Sequence, residues 1–301
     1  MQVCYVLDSD PDRYNGGTPN VVRNIRRYVG GHTVSGSRSA VKNIILMLAA
    51  PLRVAASGCD VVNIHDTHGY FCTFRPFMKK TVYTCHGLWK NYYRISPPRT
   101  AADKIKSRMA MFFQGRILKK ADRIIAVSNS VKGQITQEYH IEPEKISVIH
   151  NGVDTEVFSP GKRGIGFIWV GDNPSLKGLD GAISYARKHK GMITIVGVEG
   201  QDSEGVKYLG SVKHENMADV YRTAGTLLFF SKFEGHPLVP MEAAACGLNI
   251  IASIESNLEI FPTKKGIYSV KGKDAITIAK KHDWKNQAKL YSDIFLEAAM
   301  K

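Results

Sequence analysis

The chain has 301 residues, of which 44% are hydrophobic and 23% charged, a composition that excludes collagenous and disordered proteins and favours two globular domains. Forty-one Lys and Arg residues against 27 Asp and Glu residues give a net charge of +14. This surplus is compatible with nucleic acid, an anionic membrane or phosphorylated small molecules as partners, and charge alone does not choose between them.

The sequence shows no sign of export. The first apolar run has no basic segment before it and ends at Asp8 and Asp10, so no signal peptide is expected. The longest apolar stretch, residues 44–56, is interrupted by Pro51 and Arg53 and is shorter than the ~20 residues of a membrane-spanning helix. The five cysteines are scattered and include no C-x-x-C pair, which favours reduced thiols and a cytoplasmic location.

Short apolar runs alternate with helical patterns in the first half of the chain. This alternation predicts a parallel sheet of βαβ type. A helix is expected over residues 105–120, where Ile105, Met109 and Phe112 recur at helical spacing, and one strand-helix unit is compressed into residues 32–40. The expected strands are residues 2–7, 61–64, 81–84, 123–127 and 146–149.

The same alternation restarts after the turn-rich, charged stretch at residues 160–164, which is typical of a domain boundary. An amphipathic helix over residues 283–300 closes the chain. We therefore expect an amino-terminal α/β domain at 1–160, a carboxyl-terminal α/β domain at 161–283 and a separate closing helix at 284–301. The strands expected in the second domain are residues 166–170, 193–196, 227–231 and 249–252.

The strongest motif is the segment F-E-G-H-P-L-V-P-M-E at residues 233–242, which follows a buried strand and enters a helix. The first-turn N–H groups, near Leu238 and Val239, have no intrahelical partner and suit a diphosphate. Glu234 before the helix and Glu242 on it can accept hydrogen bonds from hydroxyls at the two ends of a nucleotide-sugar. Two solvated glutamates on a capped helix are the alternative, which the longer run through Gly247 disfavours.

Residues 234–247 resemble the E-x7-E signature of retaining glycosyltransferases of family 4. Other segments are similar to the same family: the glycine pair Gly16–Gly17 after Asn15, the T-C-H-G segment at 84–87, and residues 121–128 and 148–154. The resemblance implies the GT-B fold, with two Rossmann-like domains and the donor cleft between them. It also implies an acceptor side in the first domain, a donor side in the second, and a closing helix that crosses back to the first.

The resemblance further implies roles for individual residues. Glu234 is expected to hold sugar hydroxyls, and His86 to sit against the donor sugar near the reacting centre, which makes them the expected catalytic residues. Retention is expected by front-face attack, with the leaving phosphate helping to deprotonate the acceptor. The expected donor-binding residues are Gly16, Gly17, Lys177 at the diphosphate, Gly235, His236, Leu238, Val239, and Glu242 at the ribose.

The loop that contains Lys177 departs from the family pattern. The family usually has an arginine directly after the first glycine, whereas this chain has Asp172 after Gly171. A carboxylate beside a diphosphate repels it. Either Asp172 points away from the donor or another cation, Arg163 or Arg13, replaces the missing arginine.

Neither a metal nor a cofactor beyond the donor is expected. Asp8, Asp10 and Asp12 form a D-x-D-x-D pattern that can bind a metal, but acids in a loop after a strand are commoner. His65 and His68 can also ligate a metal, although a strand-end pair lining the interdomain cleft is the favoured interpretation. No G-x-G-x-x-G motif follows the first strand, so dinucleotide binding has little support.

The acceptor is left open between a lipid-linked and a soluble molecule. The helix expected at 105–120 mixes Met and Phe with basic residues, so peripheral contact with an anionic membrane and ordinary core packing are both retained. Two other functions stay open: a nucleotide-sugar epimerase of the same architecture, and a basic nucleic-acid-binding protein. Nucleic acid is the less favoured partner because Lys and Arg are spread along the chain and no binding motif stands out.

Overall fold

The computed structural model describes residues 1–14, 16–36, 40–74 and 79–300. The chain forms two compact units, Met1–His150 with Lys285–Lys301, and Asn151–Trp284. The first unit ends ahead of residue 160 because the following segment joins the second unit. There the Val153 N–H donates to the carbonyl oxygen of His282 at 3.0 Å, and the Thr155 N–H donates to the Asp283 carboxylate at 3.1 Å.

Within the described ranges, the first unit contains a six-stranded parallel sheet in the order β2-β1-β3-β4-β5-β6. β1 and β3 are buried along their whole length, as expected for strands covered on both faces. The strands are β1 Val3–Leu7, β2 His32–Ser35, β3 Val61–Ile64, β4 Lys80–Cys85, β5 Arg123–Ala126 and β6 Ile146–Val148.

The second unit, whose residues are all described, contains a seven-stranded sheet in the order β12-β13-β11-β10-β7-β8-β9. The expected parallel sheets are confirmed, except that β13 and β12 add an antiparallel edge. The strands are β7 Phe167–Val170, β8 Ile193–Val196, β9 Val206–Gly210, β10 Thr226–Phe229, β11 Asn249–Ser253, β12 Thr263–Lys264 and β13 Ile267–Val270.

Helices α1 to α8 lie between successive strands, and α9 and α10 follow the last strand. Helix α10 packs on the first unit, where Phe295 contacts Tyr5 edge to face with ring centroids 6.3 Å apart. Short 3-10 turns lie at Thr67–Thr73, Pro143–Lys145, His214–Asn216 and Ile254–Ser256. The α-helices of the described ranges are α1 Gly17–Val29, α2 Ala40–Ala56, α3 Trp89–Ile95, α4 Ala101–Lys120, α5 Asn129–Tyr139, α6 Leu179–Lys188, α7 Met217–Arg222, α8 Leu238–Ala245, α9 Gly272–Lys281 and α10 Trp284–Met300.

Helix α2 corrects the expected compression of one strand-helix unit into residues 32–40. The unit instead comprises β2 and the whole of α2, and Pro51 lies inside the helix. The sequence pattern missed this helix because Pro51 and Arg53 interrupt its apolar run, and a proline usually ends or kinks a helix. No helix in the described part of the chain has both the length and the apolar character required to cross a bilayer.

Helix α4 forms where the spacing predicts a helix. Its first turn is capped by the Thr100 hydroxyl, which accepts a hydrogen bond from the Asp103 N–H at 3.1 Å. The apolar residues that mark its spacing, Ile105, Met109 and Phe112, are all more than half exposed. Core packing as the role of these three side chains is therefore wrong, because the buried side of the helix is formed by Ser107, Gln114, Gly115, Ile117 and Leu118.

Candidate active site

Two loops of the second unit meet at the carboxyl ends of β7 and β10, which pair in parallel. Residues 171–178 lead from β7 into α6, and residues 230–237 lead from β10 into α8. The Lys232 N–H donates to the Leu176 carbonyl oxygen at 2.9 Å and joins the loops. Their side chains also meet, since Lys177 Nζ lies 2.6 Å from Glu234 Oε1. Crevices at this end of an open parallel sheet are common ligand sites.

The backbone around Lys177 is held on both sides. The Trp169 indole N–H donates to the Lys177 carbonyl oxygen at 3.0 Å. The next residue, Gly178, has a φ of 68°, and a Cβ there would lie 2.1 Å from the Phe230 carbonyl oxygen. Glycine is therefore required at position 178, and the backbone that carries the Lys177 side chain is held in place.

Two asparagine amides brace the loop that contains Glu234. Asn257 Nδ2 donates to the Gly235 carbonyl oxygen at 2.8 Å, and Asn151 Nδ2 donates to the His236 carbonyl oxygen at 2.7 Å. Gly235 and His236 are themselves buried, and their carbonyl oxygens accept these two hydrogen bonds. Sequence reasoning assigned neither asparagine to this loop: Asn151 belongs to the family-like segment 148–154, Asn257 belongs to no recognised motif, and both are distant from the loop in sequence.

Helix α8 begins at Leu238 after an extended Pro237, so the expected helix start after the E-G-H-P run is confirmed. Leu238 and Val239 are half-buried in its first turn, where N–H groups lack intrahelical partners. Glu242 is buried in the second turn. Its Oε2 accepts from the Tyr221 hydroxyl at 2.9 Å, and its Oε1 lies 3.1 Å from His214 Nε2.

Neither His214 nor Tyr221 was expected from the sequence. His214 lies on the 3-10 turn His214–Asn216 and Tyr221 on α7, and both are distant from Glu242 in sequence. A carboxylate only accepts hydrogen bonds, so His214 Nε2 must be the donor. Burial, reinforced by the Glu242 charge and hydrogen bond, raises the pKa of Tyr221 well above its usual range. The carboxylate is thus held by two donors in the free protein.

The structure answers part of the question raised by Asp172. The Asp172 side chain is exposed. Lys177 in the same loop pairs with Glu234 and not with Asp172. Arg163 as the substitute cation is wrong: its guanidinium donates to the Gly247 carbonyl oxygen at 3.4 Å, beyond the carboxyl end of α8. In the first unit, Arg13 lies 3.5 Å from the Asp10 carboxylate and is largely exposed.

The glycine pair of the first unit lies at the amino terminus of α1. Gly17 is the first helical residue and Gly16 precedes it as the N-cap, while Asn15 lies outside the described residues. A Cβ on Gly17 would meet no atom within 4 Å, and one on Gly16 would come no closer than 3.7 Å to Pro19. Packing among the described residues therefore does not require glycine at either position.

His86 follows the end of β4, beside His65 at the end of the neighbouring strand β3. Their closest ring nitrogens, His65 Nδ1 and His86 Nε2, lie 3.0 Å apart. Burial lowers the pKa of His86 to about 4, against an opposing effect of the Asp66 charge. Burial and the neighbouring His86 lower the pKa of His65 well below its usual range. Both rings are therefore neutral at physiological pH.

The other acidic and histidine candidates have partners of their own. His68 Nδ1 lies 3.0 Å from the Asp66 carboxylate, Asp12 pairs with Arg26, and the Asp10 carboxylate accepts from the Asp12 N–H at 2.9 Å. Among the residues that the structure describes, no three His, Cys, Asp or Glu side chains group closely enough to hold a metal ion. The described geometry gives the D-x-D-x-D metal interpretation no support.

Comparison with known proteins agrees with this geometry. Residues 3–157 match the family model Glycosyltransferase Family 4, and residues 176–289 match the model Glycosyl transferases group 1. D-inositol 3-phosphate glycosyltransferase from Segniliparus rotundus is 28% identical over 180 residues, which cover 49% of this chain and 40% of that protein. Its counterpart from Mycobacteroides abscessus is 26% identical over 176 residues, 48% of this chain and 40% of that protein. The chain therefore matches less than half the length of these relatives.

Solved structures share the whole fold at low identity. Sucrose-phosphate synthase from Thermosynechococcus elongatus has a TM-score of 0.82 at 16% identity and covers 99% of both chains. The catalytic domain of starch synthase IV from Arabidopsis thaliana, bound to ADP and acarbose, has a TM-score of 0.71 at 11% identity and covers 100% of both chains. The expected GT-B fold, an α/β fold of two domains that each contain a parallel sheet, is confirmed.

Proposed function

Because the chain belongs to glycosyltransferase family 4, we propose that it transfers a hexose-type sugar from a nucleoside-diphosphate sugar to an acceptor hydroxyl with retention of configuration. One observation carries the proposal: the Lys177–Glu234 pair lies in the loops at the amino terminus of α8, and α8 itself holds the buried Glu242. A cation and a helix amino terminus suit a diphosphate. Two carboxylates suit the hydroxyls of a sugar and a ribose.

The chemistry asks little beyond stabilising the leaving group. When the bond between the anomeric carbon and the donor phosphate breaks, its electron pair stays on the diphosphate. The Lys177 ammonium and the first-turn N–H groups of α8 stabilise this developing charge. An ammonium has three N–H donors, so Lys177 can keep Glu234 and still reach a phosphate oxygen. The acceptor oxygen forms the new bond to the anomeric carbon, and its proton passes to the leaving phosphate.

A donor screen followed by product analysis tests the reaction. We expect one or two donors in a panel of UDP-, GDP- and ADP-sugars to raise the melting temperature, since ligand at ~100 times its Kd adds about 2.7 kcal/mol to stability. NMR of the product should show the donor's anomeric configuration, and activity should survive EDTA. A C2-inverted sugar formed without acceptor identifies an epimerase instead, and inverted product refutes retention.

We also propose that the acceptor is presented at an anionic membrane, from the cytoplasmic side. Helix α2 carries a stripe of large apolar side chains in which Ile44, Leu48 and Leu52 recur at every fourth position and are 63%, 63% and 62% exposed. Ile45 lies beside them and is also exposed. An exposed apolar stripe on a helix is typical of a docking surface.

The charge around this stripe favours an anionic lipid surface as its occupant. Helices α2 and α4 both pack against the turn Thr67–Thr73, and α4 adds the exposed Ile105, Met109 and Phe112. The only acidic residue in the sequences of the two helices is Asp103. Among the described side chains, their basic residues are Arg53, Lys104, Lys106, Arg108, Arg116, Lys119 and Lys120. Each basic residue near an anionic surface contributes about 1 kcal/mol to binding.

Vesicle co-sedimentation tests the docking. The protein should bind vesicles that contain anionic lipid, should not bind neutral ones, and should dissociate as salt rises. Leu48→Asp should weaken binding about tenfold or more, because one buried leucine side chain stabilises by roughly 1.5–3 kcal/mol. Leu290→Asp on α10, also an exposed leucine of the first unit, is the matched control. Equal loss in both variants, or concentration-dependent dimers without vesicle binding, contradicts membrane docking.

A further inference from the structure

A chain of buried polar side chains leads to His86 in the first unit. Asn63 Nδ2 donates to the Val82 carbonyl oxygen at 3.0 Å and to Thr84 Oγ1 at 2.9 Å. Asn63 Oδ1 lies 2.6 Å from His65 Nε2, and His65 Nδ1 lies 3.0 Å from His86 Nε2. Asn63 and Thr84 have no exposed surface, and His65 is 4% exposed. No part of the proposed donor site explains why polar groups are buried here.

The hydrogen bond from Asn63 to the Val82 carbonyl oxygen determines the direction of every other hydrogen bond in this series. A backbone carbonyl only accepts, so the Asn63 atom that faces Val82 must be the amino group, and its oxygen must face His65. That oxygen also only accepts, so His65 Nε2 carries a proton. A neutral imidazole has one N–H and one lone pair, which leaves the lone pair on His65 Nδ1. His86 Nε2 is therefore the donor in the contact between the two rings.

The geometry of the two rings fits this assignment. Their planes are within 24° of parallel, and their centroids lie 5.3 Å apart while the closest nitrogens lie 3.0 Å apart, so the rings meet along their nitrogen edges. Ring N–H bonds and ring lone pairs lie in the ring plane and can align in this arrangement. Burial disfavours a charged imidazolium at either position.

We infer that Asn63 and His65 are positioning residues that hold His86 as the neutral Nε2–H tautomer, so that His86 Nδ1 accepts a hydrogen bond from a substrate hydroxyl. The inference rests on the proposed function, because it assumes that His86 contacts a sugar substrate. A lone pair facing a phosphate oxygen is repelled. His86 is therefore assigned to a hydroxyl of the sugar and not to the diphosphate.

Nitrogen NMR tests the tautomer without any substrate. Protein labelled with ¹⁵N-histidine should show His86 with its proton on Nε2 in a long-range ¹H–¹⁵N spectrum, with the signal assigned by its loss in His86→Gln. In His65→Leu the fixed acceptor is absent, so His86 should become a mixture of tautomers. His65→Gln should preserve the Nε2–H form, because its amide can accept from His86 and donate to Asn63.

Kinetics with the donor found in the screen then test the consequence. His65→Leu should lower kcat roughly 10-fold to 100-fold, as small misplacements near a reacting centre do, and should leave the donor KM little changed. His65→Gln should recover most of kcat, and His32→Gln, at the exposed start of β2, should match the wild type.

A proton on His86 Nδ1 in the wild-type spectrum overturns the inference, even where His65→Leu fails to fold. An unchanged tautomer and kcat in a folded His65→Leu variant overturns it as well. If the wild-type protein shows the Nε2–H form of His86 but binds no donor, the proposed function fails while the hydrogen-bonded series from Asn63 to His86 stands.

Discussion

Replacing Glu242 separates a structural role of this side chain from a role in holding the donor. Its two oxygens already accept from the Tyr221 hydroxyl at 2.9 Å and from His214 Nε2 at 3.1 Å. An ionised carboxylate offers about four acceptor positions. About two positions therefore remain for the hydroxyls of a ribose, and the nucleotide can bind without displacing either neighbour.

Glu242→Ala should produce two losses of similar size. The Tyr221 hydroxyl, fully buried, loses its acceptor, which costs about 1–3 kcal/mol of unfolding free energy. The His214 side chain is 32% exposed and can bind water instead, so it adds little. If Glu242 holds the ribose, the affinity for the nucleoside diphosphate should also fall by about 1–3 kcal/mol, or roughly 5-fold to 150-fold in Kd.

Urea unfolding and calorimetric titration with the nucleoside diphosphate measure the two losses separately. The double variant Tyr221→Phe/Glu242→Ala removes the stranded hydroxyl, so its stability should recover in part while its affinity stays low. An unchanged Kd in Glu242→Ala refutes the ribose role. A Kd in Tyr221→Phe alone that rises as far as in Glu242→Ala shows that shape, and not the carboxylate, determines binding.

The features that the sequence predicts correctly depend on residues that are neighbours along the chain. Most of the expected strands form within one or two residues of their predicted bounds, because each is a short apolar run that parallel sheets bury on both faces. The start of α8 was reached in the same way, from Pro237 and the residues around it. The closeness of Lys177 to Glu234 followed only through the resemblance, which placed both in one donor site.

The features that sequence reasoning missed depend on tertiary contacts. Asn257 and Tyr221 reach the site through strand order and helix packing, which no spacing between neighbours encodes. Arg163 was a plausible cation by charge, yet the fold places it at the wrong end of α8. Helix α2 was missed because a proline inside a helix usually ends or kinks it. In this protein the helix tolerates Pro51 and continues to Ala56.

Three further predictions concern backbone strain, pH and charge. Gly178→Ala should lower the unfolding free energy measured with urea, because φ is 68° and a carbonyl oxygen lies 2.1 Å from the new Cβ. Gly133→Ala, inside α5 and with no atom within 4 Å of the new Cβ, should raise the unfolding free energy by up to about 1 kcal/mol. The folded-state pKa of His86 is about 4 and its unfolded value about 6.5, so the unfolded chain binds the proton first. The unfolding free energy should therefore decrease as the pH is lowered from the unfolded-state value towards the folded-state value. In His86→Gln this decrease should be smaller. Lys177→Ala should lower kcat roughly 100-fold or more, the usual cost of removing a donor from a developing anion, because its ammonium is the cation that pairs with Glu234. Lys232→Ala removes an equal charge from an exposed side chain in the neighbouring loop and should leave kcat near the wild-type value; equal losses in the two lysine variants mean that general charge, and not the placement of Lys177, drives the reaction.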